Sequence, residues 1–301
     1  MQEIFLLLAV AQGCGMPVAT PARRVELVVA AESLARHLEE PGLVVLHLDM
    51  MQAGYRAAHI PGARWADPHR FIAATPDGTS FELPPVATLD SLVESLGISN
   101  DSRVVLYGEA GHLARVFLAL EYLGLAGHVA VLNGGLEAWR AAGRQTANGI
   151  PPVPRGSFTP RPDPRLVIGT DELRSRVGDR NLALVDARSP GEYAGTDAGE
   201  HRRGHLPGAR LLDWSRTFAR PDVAEHTGDS PLVADAQLRA LFREAGFEPG
   251  RDLVLYCTVG IRAAHLYFVA RYLGYNPRIY DGSIEAWSRR ADLPLKTGER
   301  P

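Results

Sequence analysis

Apolar positions along the chain fall in short runs separated by glycines and charged residues. Val104–Tyr107 and Leu253–Tyr256 are such runs, bounded by Gly and Asp, and they predict strands buried on both faces. A helical pattern follows each. Over Arg262–Leu273 the spacing places Leu266, Val269, Ala270 and Leu273 on one face, and Gly274 supplies a C-terminal stop. The matching helix spans Ala114–Leu123 and is stopped by Gly124. Short apolar strands alternating with helices predict an α/β fold in which each sheet is mostly parallel and flanked by helices.

The pattern repeats itself, which bears on the whole fold. Leu46-His47-Leu48-Asp49 parallels Leu184-Val185-Asp186-Ala187 at the end of an apolar strand. His59-Ile60-Pro61-Gly62-Ala63 returns as His205-Leu206-Pro207-Gly208-Ala209. Val105-Leu106-Tyr107 answers Val254-Leu255-Tyr256, and Gly134-Gly135-Leu136-Glu137-Ala138-Trp139 answers Gly282-Ser283-Ile284-Glu285-Ala286-Trp287. These matches keep their order at offsets of 137 to 149, the mark of a duplicated domain. Between the copies, residues 148–165 carry Pro151, Pro152, Pro154, Pro160, Pro162 and Pro164, a density that forbids a helix and predicts an extended linker. The copies are then residues 21–147 and 166–301. Trp139 and Trp287 occupy equivalent positions and are expected to anchor the two cores.

Length and composition agree: 301 residues suit two domains, and 46% hydrophobic content supports real cores. With 32 basic and 35 acidic residues and no single-sign block, the chain has no surface suited to nucleic acid. The one strongly apolar run, Ile4–Ala11, is far short of the ~20 residues a membrane span needs. Followed by Gln12-Gly13-Cys14-Gly15, it reads either as a leader over residues 1–20, ending at a lipoprotein-type Cys14 of an exported protein, or as the frayed N-terminus of a cytoplasmic one.

Only two cysteines occur, Cys14 and Cys257, so neither a disulfide framework nor a cysteine-rich zinc site is available. The ten histidines are scattered, no helical His pair has a nearby acid, and no glycine loop ends as a nucleotide P-loop does, so neither metal nor nucleotide is implied. Cys257 directly follows the strand Leu253–Tyr256, on a strand-to-helix turn where open α/β sheets bind ligands. Amides of the turn Thr258-Val259-Gly260-Ile261, with the helix N-terminus, favour an anion there, and a thiolate is what a nucleophilic cysteine needs. Gly260 permits the tight path, and Arg262 adds a positive charge facing an oxyanion. In the first copy Gly108-Glu109-Ala110-Gly111-His112 stands in that place, so the nucleophile is missing.

These residues carry a resemblance. The tandem Asp186-Ala187-Arg188, Gly204-His205-Leu206-Pro207-Gly208-Ala209 and strand–Cys–loop–helix pattern, ending in Tyr280-Asp281-Gly282-Ser283-Ile284-Glu285-Ala286-Trp287, resembles a two-domain rhodanese-type sulfurtransferase from about Val25 to Leu295. The resemblance implies two rhodanese-like α/β domains, the first silent, and a persulfide relay at Cys257. A small anionic donor, thiosulfate first and 3-mercaptopyruvate second, gives its outer sulfur to Cys257; cyanide, a thiol or a protein thiol removes it. No cofactor is implied, and the chain is expected to act as a monomer.

In this resemblance the amides from Thr258 to Arg262 stabilise the persulfide, while Arg188 and Arg262 face the donor. Asp186 holds the loop, and His59 is either an assisting group or a structural turn histidine. The related phosphatases have five residues between Cys and Arg; here four separate Cys257 from Arg262, which suits sulfur better than phosphate. The competing readings are a non-enzymatic binding module and a carrier that passes persulfide sulfur to a protein partner.

Overall fold

The computed structural model describes residues 26–199, 202–222 and 230–301. The leader reading of residues 1–20, with Cys14, lies outside the described residues.

In the first copy, β1 (Val28–Val29), β2 (Leu43–Leu48), β3 (Arg64–Ala66), β4 (Arg103–Gly108) and β5 (Val129–Leu132) form one parallel sheet in the order β1-β5-β4-β2-β3. In the second, β6 (Leu182–Asp186), β7 (Arg210–Leu211), β8 (Asp252–Tyr256) and β9 (Pro277–Ile279) are also parallel, in the order β7-β6-β8-β9. A parallel bridge from Val167 to Ile279 stands where the first sheet has β1. The two sheets are one topology used twice.

The repeated motifs build the same local structure in both copies. In the first, Tyr55 Oη donates to Ala63 O (2.7 Å), Ile60 N donates to Tyr107 Oη (3.0 Å), and the His59 ring stacks on Tyr55. In the second, Tyr193 Oη donates to Ala209 O (2.7 Å), Leu206 N to Tyr256 Oη (3.1 Å), and His205 stacks on Tyr193. Trp139 and Trp287 are both buried and donate their indole N–H to carbonyls 2.9 Å away, of Gln145 and Pro294 respectively. Burial of the ring with a satisfied N–H is what a core anchor requires.

Two helices join the copies: α4 (Ala110–Leu120), after β4, and α9 (Ile261–Tyr272), after β8. They pack against each other through Phe117 and Phe268, with ring centroids 5.1 Å apart, and the buried Glu121 carboxylate accepts from Tyr267 Oη (2.8 Å) and Arg271 Nε (3.0 Å). This corrects the one-faced helix expected over Arg262–Leu273. Residues Ala263 to Ala270 of α9 are all buried, because its own sheet covers one side and α4 the other. The helix expected from Ala114 begins at Ala110, a consequence of a shorter loop before it. Residues 148–163 run extended but docked, with Gly156 N donating to Glu94 O, Thr159 N to Asn100 Oδ1 and Arg161 N to Leu123 O; the expected helix-free stretch ends earlier than 165, because Pro164–Leu166 form a 3-10 turn capped by Asp163.

Candidate active site at the end of strand β8

Cys257 is the first residue after β8, and α9 starts at Ile261. Three residues, Thr258, Val259 and Gly260, make the turn between them. Gly260 sits at φ +86°, a left-handed conformation that glycine adopts without a Cβ penalty, and caps α9. That turn brings Gly260 N to 3.1 Å from Cys257 Sγ, donating to it. Among the described residues, the amides of Thr258, Val259, Ile261 and Arg262 have no protein acceptor, so they remain for a second sulfur or for donor oxygens.

The loop is held from below. Cys257 N donates to Ser283 Oγ (3.1 Å), Ser283 Oγ donates to Tyr280 O (2.9 Å), and the amides of Ile284 and Glu285 donate to Cys257 O and Thr258 O. Ser283 is the one described non-glycine residue at positive φ, +52°; the equivalent residue in the first copy is Gly135, at +55°. A left-handed serine costs about 1–2 kcal/mol. It persists where its hydroxyl supports the cysteine amide, a strained residue at a functional turn.

Arg262 does not present the free charge its position suggested. Both its Nη atoms bind Glu192, at 2.6 and 2.7 Å, and Nη2 also donates to Thr258 Oγ1 (2.7 Å). Thr258 Oγ1 in turn donates to Glu192 Oε1 (3.0 Å). Glu192 belongs to α7 (Pro190–Ala194), where it and Ser189 form a reciprocal capping box. Burial works to raise the Glu192 pKa, but the hydrogen bonds and charge of Arg262, aided by Ser189 and Thr258, carry it down to about 2. Burial works equally against Arg262, yet Glu192 and Cys257 leave its pKa above the ordinary guanidinium value. The signal for Glu192 was in the sequence, as Ser189-Pro190-Gly191-Glu192, a serine followed three residues on by a glutamate.

Arg188 is 4% exposed and anchored: Nε and Nη2 bind the fully buried Asp186, and Nη2 also donates to Gly204 O (2.7 Å). Nη1 makes none of these bonds. Arg188 lines a cleft of about 80 Å³ together with Arg202, Arg203, Thr258 and the acidic Glu192 and Asp197; Cys257, 1% exposed, is not part of that lining. Water occupies ~30 Å³ in the liquid, so that space suits an anion of a few heavy atoms. Asp186 thus orients Arg188. His59 is not brought to this place: its Nδ1 donates to Tyr55 O (2.8 Å), its backbone bridges Ala147, and its ring contact is Tyr55, all within the first copy.

Strand register corrects the matching of the copies at this point. Tyr107 lies opposite His47 as Tyr256 lies opposite Asp186, so His47, and not Leu48, is the counterpart of Asp186. The first copy therefore lacks the Asp–Arg pair as well as the cysteine. It also lacks the cradle: only Glu109 separates β4 from α4. Gly108 has φ +132°, and a Cβ there would overlap Leu48 O. Among the described residues no cluster of three His, Cys, Asp or Glu could hold a metal, and no helix is long and apolar enough to cross a membrane.

Comparison with known proteins identifies the two copies. The rhodanese-like domain profile matches residues 30–142 and 169–290. A thiosulfate sulfurtransferase of Corynebacterium glutamicum is 35% identical, with 91% of each chain covered. A sulfur carrier protein, TtuD, of Thermus thermophilus is 32% identical over 91% of this chain and 98% of its own. The crystal structure of SseA from Escherichia coli, presented as a 3-mercaptopyruvate sulfotransferase of rhodanese fold, superposes with a TM-score of 0.74 at 24% identity, covering 85% of this chain and 98% of that one. With the profile matched in both copies, the chain belongs to the rhodanese family, as a tandem of two rhodanese-like domains.

Proposed function

We propose that this rhodanese is a sulfurtransferase that moves sulfane sulfur from a small anionic donor, thiosulfate first and 3-mercaptopyruvate second, to a thiophilic acceptor through a persulfide on Cys257. The observation that carries this reading is the Cys257 sulfur itself, bound by Gly260 N at the start of a loop whose other amides have no acceptor among the described residues.

The steps follow from that arrangement. Thiosulfate enters the cleft with its sulfonate toward Arg188 Nη1 and the exposed Arg203. The Cys257 thiolate attacks the outer sulfur; a new S–S bond forms, the S–S bond of thiosulfate breaks, and sulfite leaves with the electron pair. The negative charge now on the outer persulfide sulfur is stabilised by the amides of Thr258, Val259, Ile261 and Arg262. Cyanide or a thiolate then attacks that sulfur, and the Cys257 thiolate leaves. Glu192 keeps Arg262 and Thr258 fixed throughout, so the loop needs little reorganisation between the two half-reactions.

A carrier role is the second reading, favoured by the resemblance to the Thermus sulfur carrier protein. Both readings require the same persulfide. Intact-protein mass spectrometry after incubation with thiosulfate, and separately with 3-mercaptopyruvate, is expected to show a gain of about 32 Da on the wild type and none on Cys257→Ser. An equal gain on Cys257→Ser, or no gain with either donor, overturns the proposal. Turnover with cyanide or dithiothreitol then separates an enzyme from a carrier.

A further inference from the structure

The first copy, without nucleophile or cradle, still reaches the catalytic loop. Arg115 on α4 is wholly buried, and its guanidinium crosses to the second copy. There Nη1 binds Asp281 Oδ1, and Nη2 binds Asp281 Oδ2 (2.9 Å) while also donating to Phe81 O (2.7 Å). Asp281, 4% exposed, follows β9 and takes a further bond from Leu83 N (2.8 Å). This pair lies directly behind Gly260. A Cβ built on Gly260 would stand 2.9 Å from Asp281 Oδ1 and 3.4 Å from Arg115 Nη1. Gly260 is the residue whose amide binds the Cys257 sulfur.

The charges around Cys257 make that placement consequential. On the α7 and β6 side, Glu192 is paired with Arg262 and Asp186 with Arg188. Behind the loop, carboxylates gather. Besides Asp281 there is Glu285, buried on Ser80 N, Ser80 Oγ and Arg289, and there is Glu82, whose Oε1 lies 3.0 Å from a Cβ built on Gly282. Glu109, with its carboxylate 2.9 Å from His112 Nδ1, lies at the start of α4, where Gly111 abuts Ile261. Each carboxylate opposes negative charge on the Cys257 sulfur, and in low dielectric that opposition carries well beyond contact distance. Burial and the Asp281 charge together hold Glu82 up at about 7, a sign of how strongly this pocket disfavours further negative charge. The wholly buried cation against Gly260 comes from the silent copy.

We propose that the first domain serves sulfur transfer through Arg115, a positioning residue that neutralises Asp281 behind Gly260 and so permits the Cys257 sulfur to carry negative charge as thiolate and as persulfide. This rests on the Cys257 reading above. It gives the silent copy a role its lost cysteine would not suggest, because the helix that lost the loop kept the charge.

The test reads charge without sulfur transfer. In the full chain, the rate of iodoacetamide labelling of the Cys257 peptide is followed against pH, so that Cys14 does not contribute. Removing Arg115 as Arg115→Met is expected to raise the pH midpoint of labelling by about one unit, a tenfold loss of thiolate on the slope. Asp281→Asn is expected to lower it, and the double variant Arg115→Met/Asp281→Asn to return it close to wild type. A lowered melting temperature with midpoints unmoved in both single variants overturns the proposal, since a purely structural contact would produce that result. Should Arg115→Met not fold, Asp281→Asn alone decides, as an unmoved midpoint there has the same meaning. Because no donor is present, a protein that shows this coupling yet never gains sulfur would refute the sulfur-transfer reading and leave the charge coupling standing.

Discussion

Arg188→Ala separates two jobs that one side chain performs. Its Nε and Nη2 neutralise the fully buried Asp186, and its remaining Nη1 belongs to a side chain that lines the cleft beside Thr258. Removing one member of a buried ion pair leaves an uncompensated charge and costs about 3–5 kcal/mol. Removing a charge-assisted bond to an anion costs about 1.5–3 kcal/mol of binding, or roughly 10- to 150-fold in KM. The loss is expected in KM more than in kcat, because the donor's sulfonate is charged before and during reaction.

Urea unfolding gives the first quantity and steady-state thiocyanate formation against thiosulfate the second. The variant Asp186→Asn/Arg188→Ala sharpens the test: it removes the orphaned carboxylate, so stability returns toward wild type while KM stays high. A folded Arg188→Ala protein with KM within about twofold of wild type would confine Arg188 to a scaffold role. Stability loss below about 1 kcal/mol would show that the Asp186 pair is not what orders this loop.

Four further outcomes are expected. Glu192→Gln keeps an acceptor for Thr258 and Arg262 but frees the guanidinium charge, so KM for thiosulfate should fall severalfold; a rise would show that Glu192 matters through geometry. Because Glu192 has its pKa depressed to about 2, its contribution is complete above the unfolded value near 4.5 and is lost as pH falls toward 2, so the acid limb of stability below pH 4.5 should flatten in this variant. Gly108→Cys should yield no second persulfide by mass spectrometry and a less stable first domain, since that position has φ +132° and no room for a Cβ. Burial lowers His47 to about 4 and His265 to about 3, so the unfolded chain binds the extra protons and stability should climb with pH up to about 6.5, at roughly 1.4 kcal/mol per unit for each histidine. His265→Gln should remove one proton's worth of that slope in urea titrations, and an unchanged slope would place the titration elsewhere.

What the sequence made legible was what neighbouring residues decide. The duplication, the strand ends, the left-handed Gly260 and the cysteine turn each follow from a few adjacent side chains. So does the Ser189–Glu192 capping box, visible in principle and unused. The motif match set Leu48 level with Asp186, whereas the strands place His47 at that level, because register answers to the whole sheet rather than to a run of four residues. The α9 pattern looked one-sided since period alone cannot announce a second helix arriving from another domain. The Arg115–Asp281 pair spans 166 positions, and no local pattern marks two such residues as partners.

That long-range pair also ties the two copies together at the back of the Cys257 loop. The first copy's turn between β4 and α4 has shrunk to Glu109, which brings α4 close against α9 and lets Gly111 abut Ile261. A cradle of the length found after β8 would hold the start of α4 away from that contact. The short first turn and the close packing behind the second loop thus go together in the structure. The first copy covers the back of the Cys257 loop, and its buried Arg115 supplies the cation that the nearly buried Asp281 carboxylate requires.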